Sequence, residues 1–256
     1  MQLIKTRLSV IQKICLSGLI MALVVILQKV VAINYLAFAP FVRISLGGPA
    51  LIIFASVLLG PVYGLLIGVA SDLLGYLVFD PRVYPPFLQI TAIYALLGFV
   101  AYFVFSFVFS IKNRKVLAII EVASLAAIWA VLAIFALSHG SIKLFSSTYE
   151  LNALSKTLIC VVSATIFGAI AVMSILFKPK DNSVYTSPLH ICFASFICDF
   201  FVLVLFGSLM KACAFGFATF LAIIVCQALV MFFNVFIDTV FISAFQRFSK
   251  KYYVEE

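Results

Sequence analysis

The sequence predicts an all-α protein, a polytopic transmembrane helical bundle of about eight spans. Of its 256 residues, 66% are hydrophobic and only 10% are charged, and the mean hydropathy is +1.28. Soluble domains average about 45–50% apolar and roughly 25% charged residues, so this chain has too few polar groups to cover a water-exposed surface. The composition excludes a soluble enzyme, a secreted disulfide scaffold and a disordered chain.

Long apolar runs define the candidate spans, since a crossing helix needs about 20 apolar residues. Such runs occupy roughly 14–35, 46–60, 62–79, 87–110, 116–138, 153–177, 187–209 and 215–245. The first run is longer than the core of a secretory signal and more spans follow it, so we expect an uncleaved helix. Gly60-Pro61 separates the second and third runs and favours a tight helical hairpin.

The distribution of basic residues predicts the orientation. Eight spans place both termini on one side, where eleven Lys and Arg lie, against five on the other side. By the positive-inside rule, both termini are cytoplasmic. The formal net charge of +8 is accounted for by these loops and tails, so we expect the lipid bilayer and no nucleic acid as a partner.

Motifs for chemistry within this chain are missing from the sequence. The dipeptide Gly-Lys never occurs, which excludes a Walker A loop, so any ATP that drives transport must be hydrolysed by another chain. The two His and the six Cys, which lie in apolar runs without a C-x-x-C pair, do not form a metal-ligand pattern. We therefore expect no cofactor, no metal and no catalytic residues here.

Four acidic residues lie within the predicted spans, where a charge is costly and is by default a functional hypothesis. Asp72 lies deep in the third span and Asp199 deep in the seventh. Glu121 and Asp238 lie nearer the cytoplasmic ends of their spans, and for these two we expect interfacial pairing with headgroups or loop lysines.

Small residues four apart line one face of the third span, at Gly60, Gly64 and Gly68, and a weaker pair, Gly18 and Ala22, lies in the first. Such faces let another helix backbone approach closely. Two interpretations remain open: packing within the protein's own bundle, or docking of a separate membrane subunit.

Polar and aromatic residues cluster in the outward-facing loops after the first and third spans. Arg43 offers a forked cation suited to carboxylates, while Tyr84 and Phe87 offer faces for stacking on a flat heteroaromatic ring. The alternative is that these residues are ordinary interfacial anchors.

The stretch from Arg43 to about Phe103 resembles the S component, the substrate-binding membrane subunit, of an energy-coupling factor (ECF) vitamin transporter, and most closely its folate-type branch. The resemblance lies in Arg43-Ile44-Ser45-Leu46-Gly47, in Gly60-Pro61-x-Tyr63-Gly64-x-x-x-Gly68-x-Ala70-Ser71-Asp72-Leu73-Leu74-Gly75, and in Tyr84-Pro85-Pro86-Phe87.

Such S components have about six spans, so the resemblance implies a six-helix core plus an extra helical pair within one membrane domain, 1–256. Residues 1–111 would hold the first four core spans. An inserted helical hairpin would occupy 112–182, and the last two spans with the cytoplasmic tail would occupy 183–256.

The resemblance implies a vitamin-capture subunit of a prokaryotic cell membrane. It would associate with a transmembrane coupling subunit and two ATP-binding subunits, and it would bind folate or a similar pterin-like vitamin. The substrate-binding residues would be Arg43, Ser45, Asp72, Tyr84, Phe87, Gln89 and Thr91. The residues contacting the coupling subunit would be Gly18, Ala22, Gly64 and Gly68.

Two other function classes stay open at this stage. One is a self-sufficient secondary transporter or channel that uses Asp72 and Asp199 as proton or cation sites. The other is a membrane enzyme or an assembly scaffold without a transported ligand.

Overall fold

The computed structural model describes residues 8–31, 33–36, 39–44, 47–79, 88–144, 147–176, 187–216 and 220–249. The helices are α1 (Val10–Lys29), α2 (Gly48–Leu59), α3 (Pro61–Phe79), α4 (Leu88–Phe109), α5 (Arg114–Ser138), α6 (Ala153–Leu176), α7 (Pro188–Cys198), α8 (Gly207–Phe215) and α9 (Phe220–Ser249). A π-helical segment, Asp199–Phe206, joins α7 to α8. The strands are β1 (Ile33–Leu36), β2 (Ala39–Ile44), β3 (Ser141–Leu144) and β4 (Ser147–Glu150).

The predicted polytopic helical bundle is confirmed. Within the described part of the chain, seven helical stretches are long and apolar enough to cross a membrane, with α7, the π segment and α8 forming one of them. The exception is the second predicted span. It is the 12-residue helix α2, about 18 Å long at 1.5 Å per residue, which is too short for a hydrocarbon core of about 30 Å.

Helix α2 is the centre of the bundle. All twelve of its residues are buried, and it packs against α1, α3, α4 and α9. Its sequence carries no charged side chain, and its one polar side chain is the Ser56 hydroxyl. Gly47 and Gly60 bracket α2 with positive φ values of 88° and 108°, a conformation that glycine adopts at little cost.

Two antiparallel hairpins were not predicted. Strands β1 and β2 pair from Ile33 opposite Ile44, and β3 and β4 pair from Ser141 opposite Glu150. Each hairpin connects two helices at an end of the bundle. The pairing satisfies backbone groups that would otherwise need water close to the membrane, where an unpaired amide is costly.

A polar cluster fastens α5 and α6 to the rest of the bundle. Ser174 on α6 donates a hydrogen bond of 2.7 Å to Glu121 Oε1 on α5, and Glu121 is fully buried. The Cys192 thiol on α7 lies beside this carboxyl group, and the Thr239 side chain on α9 lies beside the thiol. The expectation that Glu121 pairs at the interface is therefore wrong, because the packing of α5 against α6 and α7 encloses it.

Close packing of α3 against α4 depends on three glycines. A Cβ at Gly64 would overlap the carbonyl oxygen of Gly98, and a Cβ at Gly68 would overlap that of Tyr94. Gly98 in turn faces the backbone of Gly64. The two helices therefore contact each other backbone to backbone, as small residues allow in membrane proteins.

We expect Gly68→Ala to lower the free energy of unfolding by about 1–3 kcal/mol, since its methyl group would collide with a helix backbone that cannot rotate away. Gly18→Ala is the matched control, because a Cβ there meets nothing within 4 Å. Thermal unfolding in detergent measures both variants, and equal melting temperatures would contradict the packing argument.

Candidate ligand-binding site

A buried hydrogen bond joins α3 and α4 next to the connection between them. Thr91 Oγ1 donates to Asp72 Oδ2 over 2.6 Å, and both side chains are less than one-tenth exposed. Asp72 belongs to the face of α3 that also carries Gly68 and Gly75. The bond fixes one carboxylate oxygen and leaves the other able to accept a hydrogen bond from a ligand.

Lys29 adds a positive charge to this region. Its methylene chain crosses α3 at Gly75, where Lys29 Cγ lies 3.2 Å and Cδ 3.5 Å from the position that a Cβ would occupy. Gly75 lies three residues after Asp72, so the two share one face of the helix. The absence of a side chain at Gly75 thus makes room for a cationic side chain at the end of α1, about one helical turn from the carboxylate.

Of the residues predicted to bind substrate, the structure shows a direct contact between two, Asp72 and Thr91. Gln89, half-buried in the first turn of α4, precedes Thr91 by two residues. Arg43 lies in β2, where its backbone pairs with Asn34. Ser45, Tyr84 and Phe87 lie outside the described residues.

Packing within the chain explains the glycines spaced four apart at positions 64 and 68 of α3. Gly64 and Gly68 are buried against α4, so they offer no surface to a second protein in this structure, and their predicted contact with a coupling subunit is not supported. Gly18 and Ala22, by contrast, are exposed on α1.

The remaining intramembrane acids lie elsewhere. Asp199, at the start of the π segment, interacts electrostatically with Asp238 on α9, and both are almost completely buried. The expected interfacial position of Asp238 is therefore wrong, because α9 is packed on several sides. Asp72 and Asp199 have different partners, Thr91 and Asp238, so they do not act as one pair.

A small apolar cavity of about 20 Å³ lies between α5, β3, α6 and α9. Its lining consists of hydrophobic side chains and one cysteine, among them Leu132, Phe135, Ile142 and Cys226. It offers few polar groups to a water-soluble ligand, whose orientation needs well-placed donors and acceptors.

Sequence reasoning missed Lys29 as a site residue and the pairing of Asp199 with Asp238. A signal for Lys29 existed, since a lysine at the end of an apolar span and a glycine one turn after Asp72 are both visible in the sequence. The Asp pairing had none, because 39 positions separate the two residues and only helix packing determines their proximity.

Fold and site together define a multi-pass membrane protein with a buried polar site between transmembrane helices, a position typical of ligand sites in helical bundles. The model of the family described as ECF-type riboflavin transporter, S component, matches residues 8–180, well over half of the chain. The protein belongs to this family of ECF transporter S components.

This match corrects the branch assignment, since it supports the riboflavin-type family and not the folate-type one. It includes α5 and α6 and ends before α7. No curated protein matches the chain, and no solved structure matches it. The family is one of transport subunits, which are not enzymes.

We expect Thr91→Val to destabilise the protein by about 1–3 kcal/mol, because the buried Asp72 carboxyl group loses its hydrogen-bond donor. Thr157→Val is the matched control, since Thr157 is exposed and donates only to Ala153 O of its own helix. Unfolding in detergent compares the two variants. Equal stability would show that the bond between α3 and α4 contributes nothing.

Proposed function

We propose that this protein is the substrate-capture subunit of an ECF importer and that its ligand is riboflavin. It binds the vitamin from outside a prokaryotic cell and delivers it through a coupling subunit driven by two ATP-binding subunits. Both termini are cytoplasmic in this proposal, as the excess of basic residues on their side indicates. The family match over residues 8–180 carries the proposal, and the Asp72–Thr91 pair lies inside the matched region.

The chemistry of riboflavin suits the residues that we propose bind it. Its isoalloxazine ring is flat and presents two carbonyl oxygens and a ring N–H, and its ribityl chain carries hydroxyls. Asp72 would accept a hydrogen bond from an N–H or hydroxyl, and Lys29 or Arg43 would donate to a ring carbonyl. Tyr84 and Phe87 would stack on the ring, and Ser45 and Gln89 would bond its edge.

Binding of vitamins to the purified chain in detergent tests this assignment. We expect riboflavin to bind with a nanomolar dissociation constant, to lose flavin fluorescence on binding and to raise the melting temperature. Folate is the comparison ligand and should do neither. Tight binding of folate without binding of riboflavin would overturn the proposed substrate but leave the capture function.

Variants then connect binding to the proposed site. Arg43→Ala should weaken riboflavin binding about tenfold or more, the equivalent of one charge-assisted hydrogen bond. Lys115→Ala is its control, because Lys115 is an exposed cation at the start of α5. Unchanged affinity in Arg43→Ala would remove Arg43 from the site.

The exposed small residues of α1 are the proposed contact with the coupling subunit. Gly18 and Ala22 lie four apart on one helix face, and the side chains around them leave open space at Gly18. Close approach of a second helix requires such a face. Of the four residues predicted to contact the coupling subunit, Gly64 and Gly68 are buried. The other two, Gly18 and Ala22, are exposed on α1.

Replacing both residues in Gly18→Leu/Ala22→Leu should abolish ATP-dependent uptake in vesicles that contain the coupling subunit and its ATPases. Vitamin binding should stay unchanged, since the bulk is added on the outer face of α1. The matched control is Ala123→Leu/Ala127→Leu, which changes two exposed small residues with the same spacing on α5. Normal uptake by the α1 variant would exclude this face as the contact.

A further inference from the structure

Two carboxyl groups are buried against each other between the π segment and α9. Asp199 is 0% and Asp238 1% exposed, and they interact electrostatically. All four of their carboxylate oxygens lack a hydrogen-bond partner among the described residues. This separates them from Asp72 and Glu121, which each accept a hydrogen bond from a hydroxyl.

Two further buried side chains, one helical turn before each acid, carry an oxygen atom without a partner among the described residues. Asn234 precedes Asp238 by four residues on α9, and Ser195 precedes Asp199 by four residues at the end of α7, so each shares a helix face with its acid. Asn234 is 5% and Ser195 0% exposed. Neither Asn234 Oδ1 nor Ser195 Oγ finds a hydrogen-bond partner within the part of the chain that the structure describes.

The helix changes its geometry where the pair lies. From Asp199 to Phe206 the backbone is π-helical, and the N–H of Gly207 bonds to Val202 O, five residues earlier. Stretches of π-helix are rare and occur frequently at functional sites. The π-helical segment begins at Asp199 itself, so the change in helix geometry occurs at the position of the acid pair.

Among the described side chains, no cation interacts with the pair. The Cys198 thiol interacts electrostatically with both acids and carries no positive charge. Helix α2, on another side of α9, has no titratable residue. On α5 and α7, Glu121 and Cys192 interact, and Lys211 on α8 interacts with Cys226 on α9. On α6, which also packs on α9, Lys156 donates to Leu137 O.

Two more groups belong to elements packed nearby. His190 on α7 bonds to Ile111 O over 2.9 Å, and β2, which packs on α9, carries Arg43. Two adjacent ionised carboxylates without a counter-charge are strongly unfavourable in hydrocarbon. Since no cation among the described side chains interacts with the pair, a bound cation would compensate its charge.

We propose that Asp199 and Asp238 form a binding site for a small monovalent cation, a proton or Na⁺, with Asn234 Oδ1 and Ser195 Oγ as neutral oxygen ligands. Hard cations prefer such all-oxygen surroundings. A proton would bind one carboxyl group and be shared with the other, whereas Na⁺ would lie between them. This site is separate from the Asp72–Thr91 region and does not rest on the vitamin assignment.

Two measurements on the purified full chain distinguish the cations. In the first, the melting temperature is followed as Na⁺ replaces choline at constant ionic strength. Bound Na⁺ predicts a rise of several degrees over an about hundredfold increase in Na⁺, and Asp199→Asn/Asp238→Asn should abolish the rise. In the second, infrared difference spectra between mildly acidic and mildly alkaline pH detect the C=O stretch of a protonated carboxyl group, which Asp199→Asn and Asp238→Asn should remove or shift.

The matched control is Glu121→Gln, which changes another buried carboxyl group that already has a hydrogen-bond donor. It should leave both responses of the pair intact. A Na⁺ response identifies Na⁺, and a carboxylic-acid band without a Na⁺ response identifies a proton.

The proposal is overturned if the wild-type chain shows neither a Na⁺ response nor a protonated carboxyl band from this pair. It is also overturned if both responses persist in the double variant. If the double variant fails to fold, Asn234→Ala and Ser195→Ala replace it. A Na⁺ response or carboxylic-acid band that neither substitution changes would contradict the proposed set of ligands.

Discussion

The backbone contact between α3 and α4 is the constraint on which the candidate site depends. Gly64 meets Gly98, and Gly68 meets Tyr94, in an antiparallel register. Continued by one turn, the same register brings Asp72 next to Thr91, and these two form the 2.6 Å hydrogen bond. A larger residue at either glycine would separate the helices and lengthen this bond, so helix packing and the geometry of the candidate site share one cause.

The absence of water in the bilayer explains the rest of the architecture. Backbone amides there must bond within the protein, and the pairing of β1 with β2 and of β3 with β4 meets the same need at the ends of the bundle. Helix α2 is too short to span a membrane and is instead enclosed by other helices. It is half the length of a span, but its burial on every side by α1, α3, α4 and α9 means that it never faces lipid along its length.

The buried acids receive three different environments. Asp72 has Thr91 at the site between α3 and α4, and Glu121 has Ser174 at the junction of α5 and α6. Each of these donors lies on a neighbouring helix, so the bond also fixes the helix pair. Asp199 and Asp238 interact with each other and with the Cys198 thiol, and their carboxylate oxygens accept no hydrogen bond from the described residues.

The sequence by itself determined the class of protein, because a chain with 66% hydrophobic and 10% charged residues cannot cover a surface exposed to water. The lengths of its apolar runs also predicted where most of the membrane-spanning helices lie. The sequence also indicated Asp72 through its position deep in an apolar span, whereas Thr91 entered through the family resemblance. Tertiary structure alone decided which residues meet. Gly64 and Gly68 could line an inner or an outer face with the same spacing, and the backbone of α4 filled that space. Asp238 could reach the interface or the core, and packing on Asp199 buried it. Periodicity records which side chains share a helix face, but only the arrangement of helices determines what that face contacts.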